Sequence, residues 1–313
     1  MVLKSRPEFL ILSFTTAFSM RIPESELIIN SDGSVFHLHL KPEHLADNVI
    51  MMGDPGRVDM LSEYLTDIEC RNASREFVSV TGKYNGKRIT ALSHGIGPDN
   101  IDIVMTELDA LANVNFETRE VNPVHRSLNI LRIGTSGALH ADIPLGSYVL
   151  SHISVGFDGV MNWYGNREKV TIPAVEEAFK KHMNWAPVLP SPYFVKASPK
   201  IIDIMKDVTV KGVTISACGF YGPQGRVVRV PLAMPHMLED IESFRFTEAG
   251  EDYRITNFEM ESSPLAGLAA HLGHNASTVC CIIANRYLQS SNPDYKPAIR
   301  GLVELSLDRM SRL

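Results

Sequence analysis

Two carboxylates one residue apart, Glu259 and Glu261 in Asn257-Phe258-Glu259-Met260-Glu261-Ser262, carry the most pointed chemistry in this chain. An ionised carboxylate only accepts hydrogen bonds, so such a pair can hold the vicinal hydroxyls of a sugar through charge-assisted bonds. The competing explanation is a solvated helix start whose acids favour the macrodipole, and for an isolated Glu-x-Glu it is the better one. The company these residues keep decides between them.

Three glycine-bearing stretches could seat an anion: Gly53-Asp54-Pro55-Gly56-Arg57, His94-Gly95-Ile96-Gly97-Pro98-Asp99-Asn100, and Arg132-Ile133-Gly134-Thr135-Ser136-Gly137. Glycine lets backbone N–H groups approach an anion closely, and a helix starting at the same turn adds its positive end. Arg57 and Arg132 offer guanidinium forks and Thr135 a hydroxyl. A strand-to-helix turn wants glycine in any case, and none of the three completes a Walker loop or a dinucleotide fingerprint. Together with two arginines they favour free phosphate.

A third group lies in Cys218-Gly219-Phe220-Tyr221-Gly222-Pro223-Gln224-Gly225-Arg226. Glutamine both donates and accepts while arginine only donates, which suits a flat ring presenting N–H between two carbonyls, the edge of uracil. Phe220 could stack on its face. A polar loop with an aromatic plug explains the same residues. Arg286, after Asn285, adds a donor near that rim, and 289–294 reads as a mobile lid.

Positioning these groups requires alternating strands and helices. Apolar runs predict strands at 48–52, 75–80, 88–93, 129–133, 147–153, 213–217 and 278–284. Helical spacing predicts helices at 57–65, 100–112, 175–183, 235–244, 260–272 and 298–312. In the 260–272 helix Ser262 and Ser263 are the capping candidates, Pro264 lies in the first turn and Gly273 supplies the stop. The alternation implies an α/β fold around a largely buried, mostly parallel sheet with ligands at the strands' carboxyl ends. One domain is expected over 31–313, preceded by a loose extension at 1–30.

In that extension Lys4 and Arg6 precede a short apolar run, Phe9-Leu10-Ile11-Leu12, with no small-residue cleavage site after it. The run is too short to span a membrane, and Met20 is an alternative start. A net charge of −6 argues against a general nucleic-acid binder. Cys70, Cys218, Cys280 and Cys281 form no Cys-x-x-Cys, so neither a zinc site nor a disulfide framework is expected, and the setting is reducing and cytoplasmic.

The ordered series Gly-Asp-Pro-x-Arg, Arg-Glu-Phe, Gly-Ile-Gly, Arg-Ile-Gly-Thr-x-Gly, Phe-Tyr-x-x-Gln-x-Arg, Glu-Met-Glu-Ser and Asn-Arg resembles the nucleoside phosphorylase superfamily, and within it uridine phosphorylases. The resemblance runs from about Ser31 to the C-terminus. It implies a three-layer α/β domain with a mixed sheet partly closed into a barrel, and a homo-oligomer, a dimer at minimum, with shared active sites. It places Gly53, Arg57, Arg132 and Thr135 around phosphate, with Arg75 lent by the neighbouring subunit. His37, again from a neighbour, reaches the ribose together with Met260 and Glu261, with Glu259 beside them. Phe220, Gln224 and Arg226 read the base, and Arg286 is an outer contact.

The implied reaction is reversible phosphorolysis of uridine, with Arg132, Glu261 and Arg226 as its catalytic residues and no metal or organic cofactor. A purine phosphorylase or nucleosidase on the same fold is the nearest rival; a nucleoside-binding protein without turnover is the rival from another class. Two departures stand out. Glu76, Ile96 and Asn100 occupy the positions where some relatives hold an interface cation through a glutamate, a backbone carbonyl and a serine, which puts that ion in doubt. The segment 115–129 is longer than the bacterial connection, which leaves dimer and hexamer open.

Overall fold

A computed structural model describes residues 21–313, so the signal-like run and Met20 lie outside the described residues. In chain order the first half runs β1 (Asn48–Met52), α1 (Pro55–Ser62), β2 (Thr66–Ser74), β3 (Phe77–Tyr84), β4 (Lys87–Ser93), α2 (Pro98–Asn113), β5 (Val114–Asn115), β6 (Glu120–Val121), β7 (Asn129–Ala138) and β8 (Tyr148–Gly156). The second half runs α3 (Pro173–His182), β9 (Tyr193–Lys196), α4 (Pro199–Met205), β10 (Val210–Ser216), α5 (Met237–Ser243), β11 (Arg245–Glu248), β12 (Glu251–Arg254), β13 (Asn257–Glu259), α6 (Ser262–Leu272), β14 (Asn275–Asn285), β15 (Ser290–Ser291) and α7 (Lys296–Met310).

Strand alternation sorts the core into layers. Val49 and Met51 of β1 face α2 and α6, packing with Ile101, Val104, Leu265 and Leu268. Ile50 and Met52 face the other way, against Val58 and Leu61 of α1, Met205 of α4 and Leu302 of α7. A run as apolar as Asn48–Met52, buried at every position, is what a strand covered on both faces requires.

The sheet is mixed, and part of it closes. β7 pairs with β14, β14 with β8, β8 with β10, β10 with β13, and β13 returns to β7, giving a five-stranded barrel. β1, β4, β3 and β2 extend from β7 as an open wing. One edge of β7 therefore serves two partners. Asn129 to Ile133 pair with β1, Gly137 and Ala138 pair with β13, and Gly134, Thr135 and Ser136 lie between them with no strand on that side.

Several expected boundaries move. Arg75 and Glu76 sit in the β2–β3 turn, with Arg75 at φ 54°, because β2 is a strand with no apolar alternation to announce it. β7 continues five residues past the expected end at 133, through its glycines. The helix expected at 260–272 starts at Ser262, so Met260 and Glu261 precede it. The stretch read as a mobile lid is pinned by β15 pairing with Ala284 and Asn285.

Residues 22–30, assigned from sequence to a loose extension, are packed onto the domain. Leu27 buries itself with Ala110 and Val114, and Ile29 bridges to Val35. The buried Arg119 guanidinium donates to the carbonyls of Ile22 (3.0 Å), Pro23 (3.4 Å) and Leu27. Arg119 is delivered by the hairpin β5–β6, which is what the long 115–129 segment builds. Replacing Arg119 by Met is expected to cost about 1–3 kcal/mol, the penalty for unpaired polar groups. Urea denaturation reads the loss, and limited proteolysis should cut within 22–30; a variant matching wild type in both would show that Arg119 does not anchor the segment.

Candidate active site

The parting of β1 from β13 along β7 opens a cavity of about 750 Å³. Its floor is Gly134 to Gly137, where backbone groups left free by the sheet face the space. The carboxyl ends of β1, β4 and β13 deliver Gly53, Asp54, Pro55 and Arg57, then Gly95, Ile96 and Asn100, then Phe258 to Glu261; the β2–β3 turn, the segment after β10 and the end of β14 complete the wall. A crevice where strand neighbours change is where an open α/β sheet offers room for a ligand.

Arg132 lies under this cavity, 4% exposed. Its Nη1 donates to Glu259 Oε2 at 2.7 Å, its Nη2 to Glu261 Oε2, and its Nε to His94 Nε2 at 3.1 Å. Each carboxylate is also held by a helix start. Glu259 accepts from the N–H groups of Glu261 (2.9 Å) and Ser262 (2.9 Å), closing the first turn of α6. Glu261 Oε1 accepts from Gly97 N (2.8 Å) at the start of α2. These bonds place negative charge where unpaired N–H groups need an acceptor.

Glu261 therefore holds the N-cap position of α6 and the Glu259 carboxylate supplies the capping acceptor, in place of Ser262 or Ser263. Ser262 Oγ has no partner among the described residues, and Ser263 Oγ donates to Asp158 (2.6 Å), which also receives the Tyr193 hydroxyl (2.8 Å). Burial raises the Asp158 carboxyl while these donors work to lower it.

Burial works against the charge of Arg132, but Glu261 and then Glu259 outweigh it and raise its pKa. Burial also raises Glu261, against the pull of Arg132, with Glu259 adding repulsion. Gly134 lets the guanidinium pass: a Cβ there would stand 2.9 Å from both Arg132 Nη1 and Cys280 Sγ. Gly95, at φ 73°, is equally constrained, since a Cβ would meet Asn100 Nδ2 at 2.5 Å. That amide donates to Glu76 Oε1 (3.0 Å), so two of the suspected cation positions are bonded to each other.

Arg57, on α1 behind the Asp54 cap, lines the cavity, and its side chain has no hydrogen bond or ion pair among the described residues. Thr135 and Gly53 line the same space. Across the parting, Gln224 is buried with its Nε2 3.5 Å from Glu259 O, and its Oε1 receives Arg226 Nη1 at 2.6 Å. Arg226 lies over the Phe220 ring at 3.8 Å. Burial, then the charge of Arg286, lowers Arg226 to about 10, leaving it cationic near neutrality. Arg286 itself holds the Gln224 carbonyl (3.0 Å) behind the cavity wall.

Glu259, Met260, Glu261, Gly53, Arg57, Arg132, Thr135, Phe220, Gln224 and Arg226 thus come together around one cavity. His37 and Arg75 do not. His37 Nδ1 lies 2.6 Å from Glu107 Oε1 on α2, and Arg75 is exposed. Sequence reasoning missed His94, whose place directly after a buried strand beside Gly95 was the available signal. Among the described residues, Asp109, His125 and His274 could offer metal-ligand atoms within 4.8 Å of one another. His274 Nδ1 accepts from Leu128 N (3.1 Å), which leaves the proton on Nε2, the nitrogen facing Asp109, so the set is poorly prepared for an ion.

Residues 47–301 match the model of the phosphorylase superfamily, and the chain belongs to that superfamily. Among its relatives is a uridine phosphorylase of Thermococcus kodakarensis, 27% identical over 82% of this chain and 79% of the relative. A DeoD-type purine nucleoside phosphorylase of Bacillus cereus is 24% identical over 87% of this chain and 97% of its own. The structure of a Trypanosoma brucei nucleoside phosphorylase that shows uridine phosphorylase activity superposes with a TM-score of 0.84 at 26% identity, covering 92% of this chain and 100% of that one.

Replacing Arg132 by Met would strand two buried carboxylates beside each other. Removing one partner of a buried pair costs about 3–5 kcal/mol. Without the cation that pulls it down, Glu261, already raised by burial and by Glu259, would titrate further above its unfolded value, so the folded state binds more protons than the unfolded one near neutrality. Stability of the variant should therefore recover as pH falls through that raised value and worsen as pH rises. Denaturation at stepped pH tests this; a pH-independent deficit would contradict it.

Proposed function

We propose that the chain catalyses reversible phosphorolysis of uridine to uracil and ribose 1-phosphate, a pyrimidine-salvage step in the cytoplasm. The observation that carries the reading is the cavity's two sides. Arg57, without a partner among the described residues, stands beside glycines and Thr135, and the Gln224–Arg226 pair faces it from across the parting of β7. Phosphate would bind Arg57, with Gly53, Thr135 and Arg132. The ribose hydroxyls would rest on Glu261, with Met260 and Glu259 adjoining, and the uracil edge would meet Gln224 and Arg226 with Phe220 as a stacking face.

Glycosidic cleavage builds positive charge on the sugar and negative charge on the departing base. Glu261 supplies negative charge beneath the former. Arg226, still protonated, stabilises the latter, as donors aimed at developing charge do. Arg57 fixes the nucleophile, so positioning supplies much of the acceleration. The reading calls for no metal or organic cofactor. Its rival, purine phosphorolysis, is supported by the Bacillus relative. The superfamily resemblance implies that a purine enzyme has a base-protonating aspartate where this chain has Asn285-Arg286. Here Asn285 donates to the carbonyls of His140 (2.9 Å) and Ile143 (3.1 Å) and accepts from Leu288 N (2.9 Å), so its amide is spent on backbone.

Product analysis with uridine, thymidine and inosine, each with and without phosphate, tests the reading. Uracil and ribose 1-phosphate should form in equal amount, and only with phosphate. Arg57→Met should raise the phosphate KM about tenfold or more, the scale of one lost charge-assisted bond, with a smaller change for uridine. Free ribose released without phosphate, or inosine turned over as fast as uridine, would reject it.

The same proposal makes the protein a homodimer at minimum, with His37 and Arg75 serving the neighbouring subunit's cavity. Both lie outside the cavity of their own chain, and Arg75 is exposed and without an ion-pair partner among the described residues. Mixing inactive Arg75→Ala with inactive Glu261→Ala should restore part of the activity once subunits exchange. Hybrids that form and stay inactive would show that the site is not shared.

A further inference from the structure

The side chain of His94 is fully buried directly beneath the cavity, yet it belongs neither to the cavity wall nor to an apolar cluster. It follows β4, and its position is fixed by backbone stitching between two loops. His94 N donates to Met52 O (2.8 Å), and Gly95 N to Gly53 O (3.0 Å). The ring makes one hydrogen bond: Nε2 lies 3.1 Å from Arg132 Nε, while Nδ1 is buried without a partner among the described residues.

A guanidinium has donors only, so in that contact Nε2 must be the acceptor. The imidazole is then neutral, with its proton on Nδ1. Burial comes first, then the positive charges of Arg132 and Arg57, and together they hold His94 well below the ordinary histidine range. No carboxylate bonds the ring to offset them among the described residues.

We propose that His94 is a positioning residue for Arg132: a neutral imidazole that accepts from Nε and so fixes the plane of the guanidinium whose other two nitrogens meet Glu259 and Glu261. Nε is the donor nearest the backbone, and occupying it stops rotation about the last side-chain torsions. Without it, Arg132 could tip toward either carboxylate, and Glu261 would lose the fixed neighbour that sets its place beneath the sugar. For catalysis the inference rests on the phosphorolysis reading; the contact itself does not.

Three variants and one spectroscopic measurement test it. Glutamine can place an amide oxygen near the position of Nε2, asparagine only near that of Nδ1, and phenylalanine keeps the ring without an acceptor. His94→Phe and His94→Asn should lower kcat/KM for uridine phosphorolysis by about ten- to a hundredfold, the worth of one bond to a charged group, and His94→Gln should restore most of it. Equal impairment in all three, or none in His94→Phe, would overturn the proposal. On the wild-type chain, long-range proton–nitrogen correlation should find Nε2 bare and Nδ1 protonated from pH 6 to 8, with a slowly exchanging Arg132 Nε–H. A protonated Nε2 would overturn the contact even if every variant failed to fold. Wild-type assays run alongside separate the two failures: no phosphorolysis by wild type removes the enzymatic reading and leaves the tautomer to decide the contact.

Discussion

One buried cation between two buried anions organises this protein. Arg132 comes from the middle of the sheet, Glu259 from the end of β13 and Glu261 from the threshold of α6. Ions removed from water are stable only if each is paired and its remaining sites are bonded, and here the remaining sites reach helix starts. Glu259 closes α6, Glu261 tethers the start of α2, and His94 takes the last direction of the guanidinium. Moving any one of these elements would strand a charge. The triad contributes little net stability for its size; what it does is fix where two helices begin relative to one strand.

That arrangement explains the glycines and the broken pairing together. β7 must run past β1 and reach β13, leaving a short unpaired edge, and a guanidinium must lie across that edge. Only Gly134 leaves it room. The fold leaves an uncovered stretch of strand as the floor of the cavity, with the charged cluster set beneath and beside it.

Much of this could be read in the sequence because local chemistry announced it. β1 was legible to the residue, since a strand buried on both faces must be continuously apolar. The helix after Glu261 was legible from its spacing and its glycine stop, but its cap was not: serines beside a helix start suggest capping, and the choice of Glu259 depends on Arg132, which lies 127 residues away. β2 hid because its exposed face and bulge erase alternation. The anchoring of residues 22–30 hid because one arginine in a distant hairpin carries it. Residues grouped by motif came together in space, whereas His37 and Arg75, known to the reading only through resemblance, stand apart from the cavity of their own chain.

The side chains proposed to read the base ride on a different kind of structure from the rest. Phe220 and Arg226 sit in a largely exposed segment between β10 and α5, where Val227, Val228 and Val230 are more than 60% exposed. The charged floor, by contrast, is locked into the sheet. Side chains in the exposed part of that segment can be exchanged with little cost to folding, whereas exchanging one in the charged floor strands a buried charge. On the proposed reading, a change of nucleobase falls on residues whose replacement leaves the scaffold standing. That a single superfamily contains relatives named for both uridine and purine nucleosides follows naturally from such a division of labour.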